Sequence, residues 1–192
     1  MNRHFQKPVI PLSISPGRSI SELVSGMGGT SFQARNLARG AEIWSQMLEN
    51  NATILFGLSG AMVPAGMRRV MVYLIENRLI DLLVSTGANL FHDLHESLGR
   101  PHWKSTPNID DHELNRFRID RIYDVIVSDD EFSKTEDFVS DFCDSLNDGR
   151  PYTTREFHYL LGERVSREGK EEGILSSAAE AHIPIYCPAI GD

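Results

Sequence analysis

Apolar residues recur at three- and four-residue steps from Ser31, at Ala34, Leu37, Ala38, Ala41, Trp44 and Leu48. That spacing lines up side chains on one face and predicts a helix to about Glu49, ended by Asn50 and Asn51. Thr53–Leu58 is a short β-rich run, and it is followed by the loop Ser59–Val63 and by Pro64 leading the helical pattern Met67, Val70, Met71, Leu74 and Ile75. Proline suits a first helical turn, where its missing N–H has no intrahelical partner to lose. The cycle repeats with a strand over Ile80–Ser85, a loop over Thr86–Asn89 and a helix over Leu90–Leu98 stopped by Gly99 and Pro101.

Residues 100–120 are polar and read as an irregular surface excursion. Tyr123–Val127 is predicted as a third strand, and Ser133 with Glu136, then Thr153 with Glu156, form capping-box patterns ahead of two helices. Gly173–Ala181 is a further helix and Ile183–Ala189 a fourth strand. Strands alternating with helices predict an α/β fold, a Rossmann-like parallel sheet with helices on both faces. Residues 1–20, punctuated by Pro8, Pro11, Pro16 and Gly17, read as an extended arm.

The 192 residues, 41% hydrophobic and 24% charged, suit one sizeable core. Runs such as Ile54–Leu58 fall far short of the roughly 20 apolar residues a bilayer span needs. The first fifteen residues lack the apolar stretch of a secretory signal, which makes the cytoplasm the default location. A net charge of −8 disfavours a nucleic-acid partner and suits a cationic ligand. Cys143 and Cys187 belong to no metal-binding spacing and are expected to be buried reduced thiols; no metal site is expected.

Ligands of such sheets bind at the carboxyl ends of the strands, where Ser59–Val63, Thr86–Asn89 and Asp192 are expected. The glycines at 57, 60 and 66 do not make GxGxxG; they mark either a phosphate-cradling turn or a tight turn that needs only glycine geometry. His92 and Asp93 fall at the presumed ligand edge, where imidazole and carboxylate suit a cofactor or an amine. Asp93 equally suits a helix N-terminal charge. His95 and Glu96 read as a solvated helix face, His102 and His112 show no ligand spacing, and His158 reads as structural. Asp192 is either a ribose-binding acid at a strand end or a turn residue after glycine.

Four segments, in order, resemble deoxyhypusine synthases: Gly29-Thr30-Ser31-Phe32-Gln33-Ala34-Arg35-Asn36-Leu37; Ile54–Leu58 running into Val63–Arg68; Asp81–Thr86 with Asp93-Leu94; and His182–Ala189. The resemblance runs from about residue 25 to the end. It implies an NAD-dependent transferase that moves an aminobutyl group from spermidine, through an imine on an enzyme lysine, to a lysine of a translation factor precursor. By the same resemblance Ser59, Gly60, Ala61, Met62, Val63, Pro64, Thr86, Gly87, Ala88, His92 and Asp192 contact NAD, and His92 with Asp93 meets the substrate. The eukaryotic pattern has two consecutive acids where this chain has Phe91-His92, so the donor and acceptor are more open than the cofactor.

The resemblance further implies a homotetramer, an arm over 1–24, and, over 25–192, the N-terminal part of a single NAD-binding α/β domain that is incomplete in this chain. The catalytic lysine is expected in a C-terminal half, because Lys7, Lys104, Lys134 and Lys170 match no such motif and read as solvated surface cations. The chain by itself is accordingly expected to be an inactive fragment that needs that half as a partner. Two other readings stand beside this one: transfer to a small amine, as in homospermidine synthases, and a non-catalytic NAD-binding partner subunit.

Overall fold

In the computed structural model, residues 7–106, 108–147 and 149–189 are described. The chain divides into two compact units, 1–53 and 54–192.

The first unit holds α1 (Ile20–Met27) and α2 (Phe32–Glu49). Residues 20–27 thus form a helix that overlaps the end of the span expected as an arm, because Ser19 and Glu22 make a reciprocal capping box: Ser19 N donates to Glu22 Oε2 at 2.8 Å, and Glu22 N donates to Ser19 Oγ at 3.2 Å. Along α2 only Ala38 is buried, and Leu37 and Leu48 of the amphipathic stripe stay exposed.

The second unit is organised by a parallel sheet of order β1-β2-β6, with β1 Leu55–Leu58, β2 Leu82–Ser85 and β6 Ile185–Tyr186. Leu55 pairs with Leu82 and Leu58 with Ser85, while Leu83 faces Ile185. Asp81 sets the start of this register: Ile54 N donates to its carboxylate at 2.7 Å and Asp81 N donates to Ile54 O at 2.9 Å. Each strand of the β1 and β2 pair runs into a helix at its carboxyl end. After β1 comes a π turn, Val63–Met67, in which Gly66 takes a left-handed conformation (φ 86°) before α3 (Arg68–Glu76) begins. The helix expected from Pro64 therefore starts four residues later, and glycine at the kink is what permits the break. After β2, α4 (Gly87–Ser97) begins at once, so Gly87–Asn89 are helical rather than loop.

The excursion between α4 and the last strand differs most from expectation. Residues 100–120 contain β3 (Trp103–Lys104), α5 (Asp111–Arg116) and the start of β4 (Ile119–Ile122). The run read as a third parallel strand is β5 (Val125–Ser128), which lies in a separate antiparallel sheet of order β3-β5-β4. Its tight connection to β4 through Tyr123 and Asp124, with Tyr123 at φ 57°, makes a hairpin, and a hairpin forces antiparallel pairing. Then α6 runs Asp129–Ser145, five residues earlier than the Ser133 pattern implies, since Asp129, Asp130 and Glu131 complement the positive end of the helix dipole. The expected capping box of Thr153 and Glu156 is present at α7 (Thr154–Glu168), and α8 (Ile174–Ala181) follows.

Gly162 lets α7 and α8 approach closely: a Cβ there would lie 2.3 Å from Leu175 O. The fully buried side chains Ile75, Ile80, Leu83, Ile174 and Leu175 form the core of this unit. Cys187 is buried, but Cys143 is exposed on α6, contrary to the expectation of two buried thiols. Among the described residues no helix is long and apolar enough to cross a membrane.

Candidate functional site

At the carboxyl edge of the parallel sheet, Gly57, Leu58, Ser59, Val84, Ser85, Thr86, Pro188 and Ala189 line a cleft of about 360 Å³. The cleft exists because three parallel strands end side by side and their loops diverge there. Gly60 turns the chain away at φ 73°, and neither Gly57 nor Gly60 has an atom within 4 Å of where a Cβ would stand, so the floor and rim are open. No side chain caps the first turn of α4: Thr86 Oγ1 accepts from Asn89 Nδ2 at 3.3 Å, which leaves the leading amides of this helix to an anion.

Of the residues expected at a cofactor, Ser59 and Thr86 line this cleft, and Gly87 and Ala88 form the first turn of α4 beside it. Ala61 and Met62 continue the loop, whereas Val63 and Pro64 are buried in the π turn. Val63 N donates to Asn89 Oδ1 at 3.4 Å, tying the loop after β1 to the helix after β2. Asp192 lies outside the described residues.

Asp93 is fully buried on α4 and accepts from Ile174 N at 2.7 Å and Leu175 N at 2.9 Å. It thereby caps α8, whose own N-cap, Gly173, has no side chain to do so. Burial pushes its carboxyl up to about 6, although both backbone donors and Arg68 favour the charged form. Close approach at Gly173 makes the arrangement possible, since a Cβ there would fall 2.7 Å from Asp93 Oδ1.

His92 is half-buried and belongs to a polar cluster along α4. Its Nδ1 is 2.9 Å from His102 Nε2, His102 Nδ1 is 2.8 Å from Glu96 Oε1, and Glu96 Oε2 is 2.9 Å from Arg68 Nε. Arg68 also pairs with Glu171 and donates to Ser97 Oγ at 3.3 Å. His95, one turn from His92, is fully buried, with Nδ1 3.0 Å from Thr135 Oγ1. Phe132 of α6 packs between these rings, 5.6 Å from His92 and 4.8 Å from His95. Burial lowers both imidazoles to about 4, so both are neutral at pH 7; for His92, His102 adds to the effect and Glu96 opposes it.

His95 is thus fully buried and Glu96 half-buried in ion pairs, not the solvated face their polarity suggests. The signal available in sequence was the spacing of His92, His95 and Glu96, which places all three on one side of a helix. His102 and Arg68 arrive from other elements and leave no such trace. His158 is buried on α7, as a structural reading requires, and Lys7, Lys104, Lys134 and Lys170 are all exposed. Among the described residues no group of His, Cys, Asp or Glu could hold a metal ion.

The model of the deoxyhypusine synthase family matches residues 22–192. The chain belongs to the deoxyhypusine synthase family. It is 48% identical over 187 residues to a protein of Methanosarcina mazei named "Probable deoxyhypusine synthase 2", covering 96% of this chain and 54% of that protein. A protein of Methanosarcina acetivorans with the same name is 45% identical, covering all of this chain and 55% of its own length. The chain spans about half the length of these curated relatives. A crystal structure described as a deoxyhypusine synthase from Entamoeba histolytica superposes with a TM-score of 0.62 at 21% identity, covering 91% of this chain and 59% of that one, which supports the family's fold.

Proposed function

We propose that this chain supplies the NAD-binding edge of an enzyme that transfers an aminobutyl group from spermidine to a lysine of an acceptor protein. The observation that carries the reading is the cleft where β1, β2 and β6 end, lined by Ser59 and Thr86 and flanked by the uncapped first turn of α4. Uncapped amides suit a pyrophosphate, and open space at Gly57 and Gly60 admits close approach of a ligand to backbone. NAD fits this donor set; held there, it supplies the hydride acceptor for amine oxidation. Ser59 and the amides of Gly87 and Ala88 would hold and orient it.

The imine-forming lysine belongs, on this reading, to residues beyond the chain, in agreement with the exposed settings of Lys7, Lys104, Lys134 and Lys170. A homotetramer in the cytoplasm is part of the same proposal.

Calorimetric titration with NAD is the first test, and NADH formation on adding spermidine is the second. Both are run on the protein joined to the remainder of a full-length relative's chain, with a protein-lysine acceptor and a free diamine compared in parallel. Binding of NAD that is lost in Gly60→Val, with the aminobutyl group of spermidine transferred to the protein acceptor, is expected. Transfer to the diamine alone moves the assignment to the homospermidine synthase reading. NAD binding without turnover leaves a non-catalytic NAD-binding subunit, and no NAD binding refutes the reading altogether.

A further inference from the structure

A second cavity lies at the other end of β6 from the cofactor cleft. Its volume of about 590 Å³ falls within the roughly 300–1,000 Å³ usual for small-molecule sites, and it opens between α7, α8 and the chain entering β6. Ile185 lines this cavity, whereas Pro188 and Ala189, just past the strand, line the cleft.

The floor is apolar: Leu175, Ala178, Ala179, Ile183 and Ile185 are all buried. His182, in a left-handed conformation (φ 56°), closes α8 and turns the chain into β6. Its ring stacks on Tyr159 at 6.2 Å with the planes 24° apart. Both residues line the cavity and both are exposed, so they form an aromatic rim against which a planar ligand can stack.

Polar groups enter from α7. Arg155, His158 and Tyr159 follow three- and four-residue spacing, so one face of the helix brings all three to the cavity. His158 is 5% exposed, and its Nδ1 has no hydrogen-bond partner among the described residues. The Thr154 carbonyl, one turn back, favours the charged ring without bonding to Nδ1; burial outweighs it and lowers the imidazole below its ordinary value. A buried polar ring left unmatched costs stability, which a hydroxyl or N–H brought by a ligand would restore.

Arg155 makes no ion pair among the described residues, while neighbouring Glu156 is already engaged by Thr153 N and by Arg150 Nη1, each at 3.1 Å. Thr153, the N-cap of α7, also lines the cavity, so the positive end of that helix adds to Arg155. The uncompensated charge at this end of the cavity is therefore positive.

We propose that this cavity is a second ligand site, which takes a small aromatic carboxylate: the ring lies on the apolar floor against Tyr159 and His182, the carboxylate meets Arg155, and a ring hydroxyl pairs with His158. The site shares no residue with the cleft and does not depend on the transfer reaction proposed above.

Para-hydroxybenzoate is the probe. Titrated into nitrogen-15-labelled protein, it should shift the amide signals of Ala178, Ala179 and His182 and leave those of Gly57, Ser59 and Thr86 in place. Arg155→Gln, an exposed change that spares the fold, should weaken binding by about tenfold, the scale of one charge-assisted hydrogen bond. Para-hydroxybenzamide should bind the unmodified protein as weakly. His158→Phe keeps the ring's bulk and removes the unmatched nitrogen, so it should weaken para-hydroxybenzoate severalfold and leave benzoate unchanged. The same contrast is read without a variant, as weaker binding of benzoate than of para-hydroxybenzoate to the unmodified protein.

Absence of shifts at Ala178, Ala179 and His182 at millimolar probe overturns the site. Equal affinity for acid and amide, or for Arg155→Gln and the unmodified protein, overturns the carboxylate assignment. Equal affinity for benzoate and para-hydroxybenzoate overturns the role of His158. Binding that disappears once the chain is joined to the remainder of a full-length relative marks a face that the rest of the polypeptide covers, and refutes the proposal as well.

Discussion

Gly173→Ala changes no group with chemistry of its own, yet it strikes the join between α4 and α8. The backbone at Gly173 is extended (φ −137°), so alanine can adopt it without strain and only contact matters. A Cβ would stand 2.1 Å from Ser97 Oγ and 2.7 Å and 3.0 Å from the two oxygens of Asp93. Ser97 can rotate away. Asp93 cannot move cheaply, because it is fully buried and both oxygens hold backbone amides of α8.

Relieving the 2.7 Å contact takes a shift of about 0.7 Å, which stretches both hydrogen bonds beyond useful length. Charge-assisted bonds contribute about 1.5–3 kcal/mol each. Losing roughly half of that pair costs about 1.5–3 kcal/mol, and at about 2–4 °C per kcal/mol in a chain of this size the melting temperature should fall by about 3–12 °C. Calorimetric melts at pH 7 check this, with urea unfolding as the second probe. An unchanged melting temperature would mean that Asp93 does not hold α8 in place, and the account of this join would be wrong.

Asp93 also gives a pH signature. Its folded-state value of about 6 lies above the ordinary 3.8, so between these pH values the native state keeps a proton that the unfolded chain releases. Stability from this group is therefore greatest below about 3.8 and falls as pH rises to about 6, by about 3 kcal/mol; urea midpoints across that window should lose this slope in Asp93→Asn. Gly162→Ala should destabilise by about 1–3 kcal/mol, since collision with Leu175 O outweighs the helix propensity gained. Gly40→Ala on α2, with open space around it, should raise stability by up to about 1 kcal/mol, and paired melts distinguish the two. Arg68→Leu strands the Glu96 carboxylate in a largely buried setting and should cost about 3 kcal/mol, read from denaturant titration at neutral pH.

The β1–α3 and β2–α4 cycles were legible because β-rich runs, loop residues and helical periodicity followed one another without ambiguity. The α7 capping box was legible because both of its partners are local. The hairpin was not: Tyr123-Asp124 lacks the glycine that usually marks a two-residue turn, so β5 looked like one more parallel strand. Ile183–Ala189 was apolar enough for a long strand, but only Ile185 and Tyr186 find partners on β2.

At the site, the loops after β1 and β2 could be read from position along the sheet. The Glu96–His102–His92 chain could not, because His102 reaches α4 from outside the helix and only tertiary packing brings it there. Asp93 shows the limit from the other side: its spacing fits an amine ligand or a helix charge, and the structure spends both oxygens on a helix 81 residues away.

The two ends of the excursion meet. Lys170 N and Glu171 N both donate to Ser97 O, at 2.8 Å and 3.2 Å, next to the place where Asp93 takes hold of α8. Chain leaving α4 and chain arriving at α8 are clasped at one point, so the β4–β5 hairpin, unlike α7, which packs on α8 and β6, need not transmit any constraint to β6. The small antiparallel sheet is in this sense an interchangeable module on a fixed frame. Its length and sequence can be altered, or a reporter placed at its β4–β5 tip, without resetting the register of the parallel strands, whereas a single methyl group at Gly173 disturbs the clasp itself.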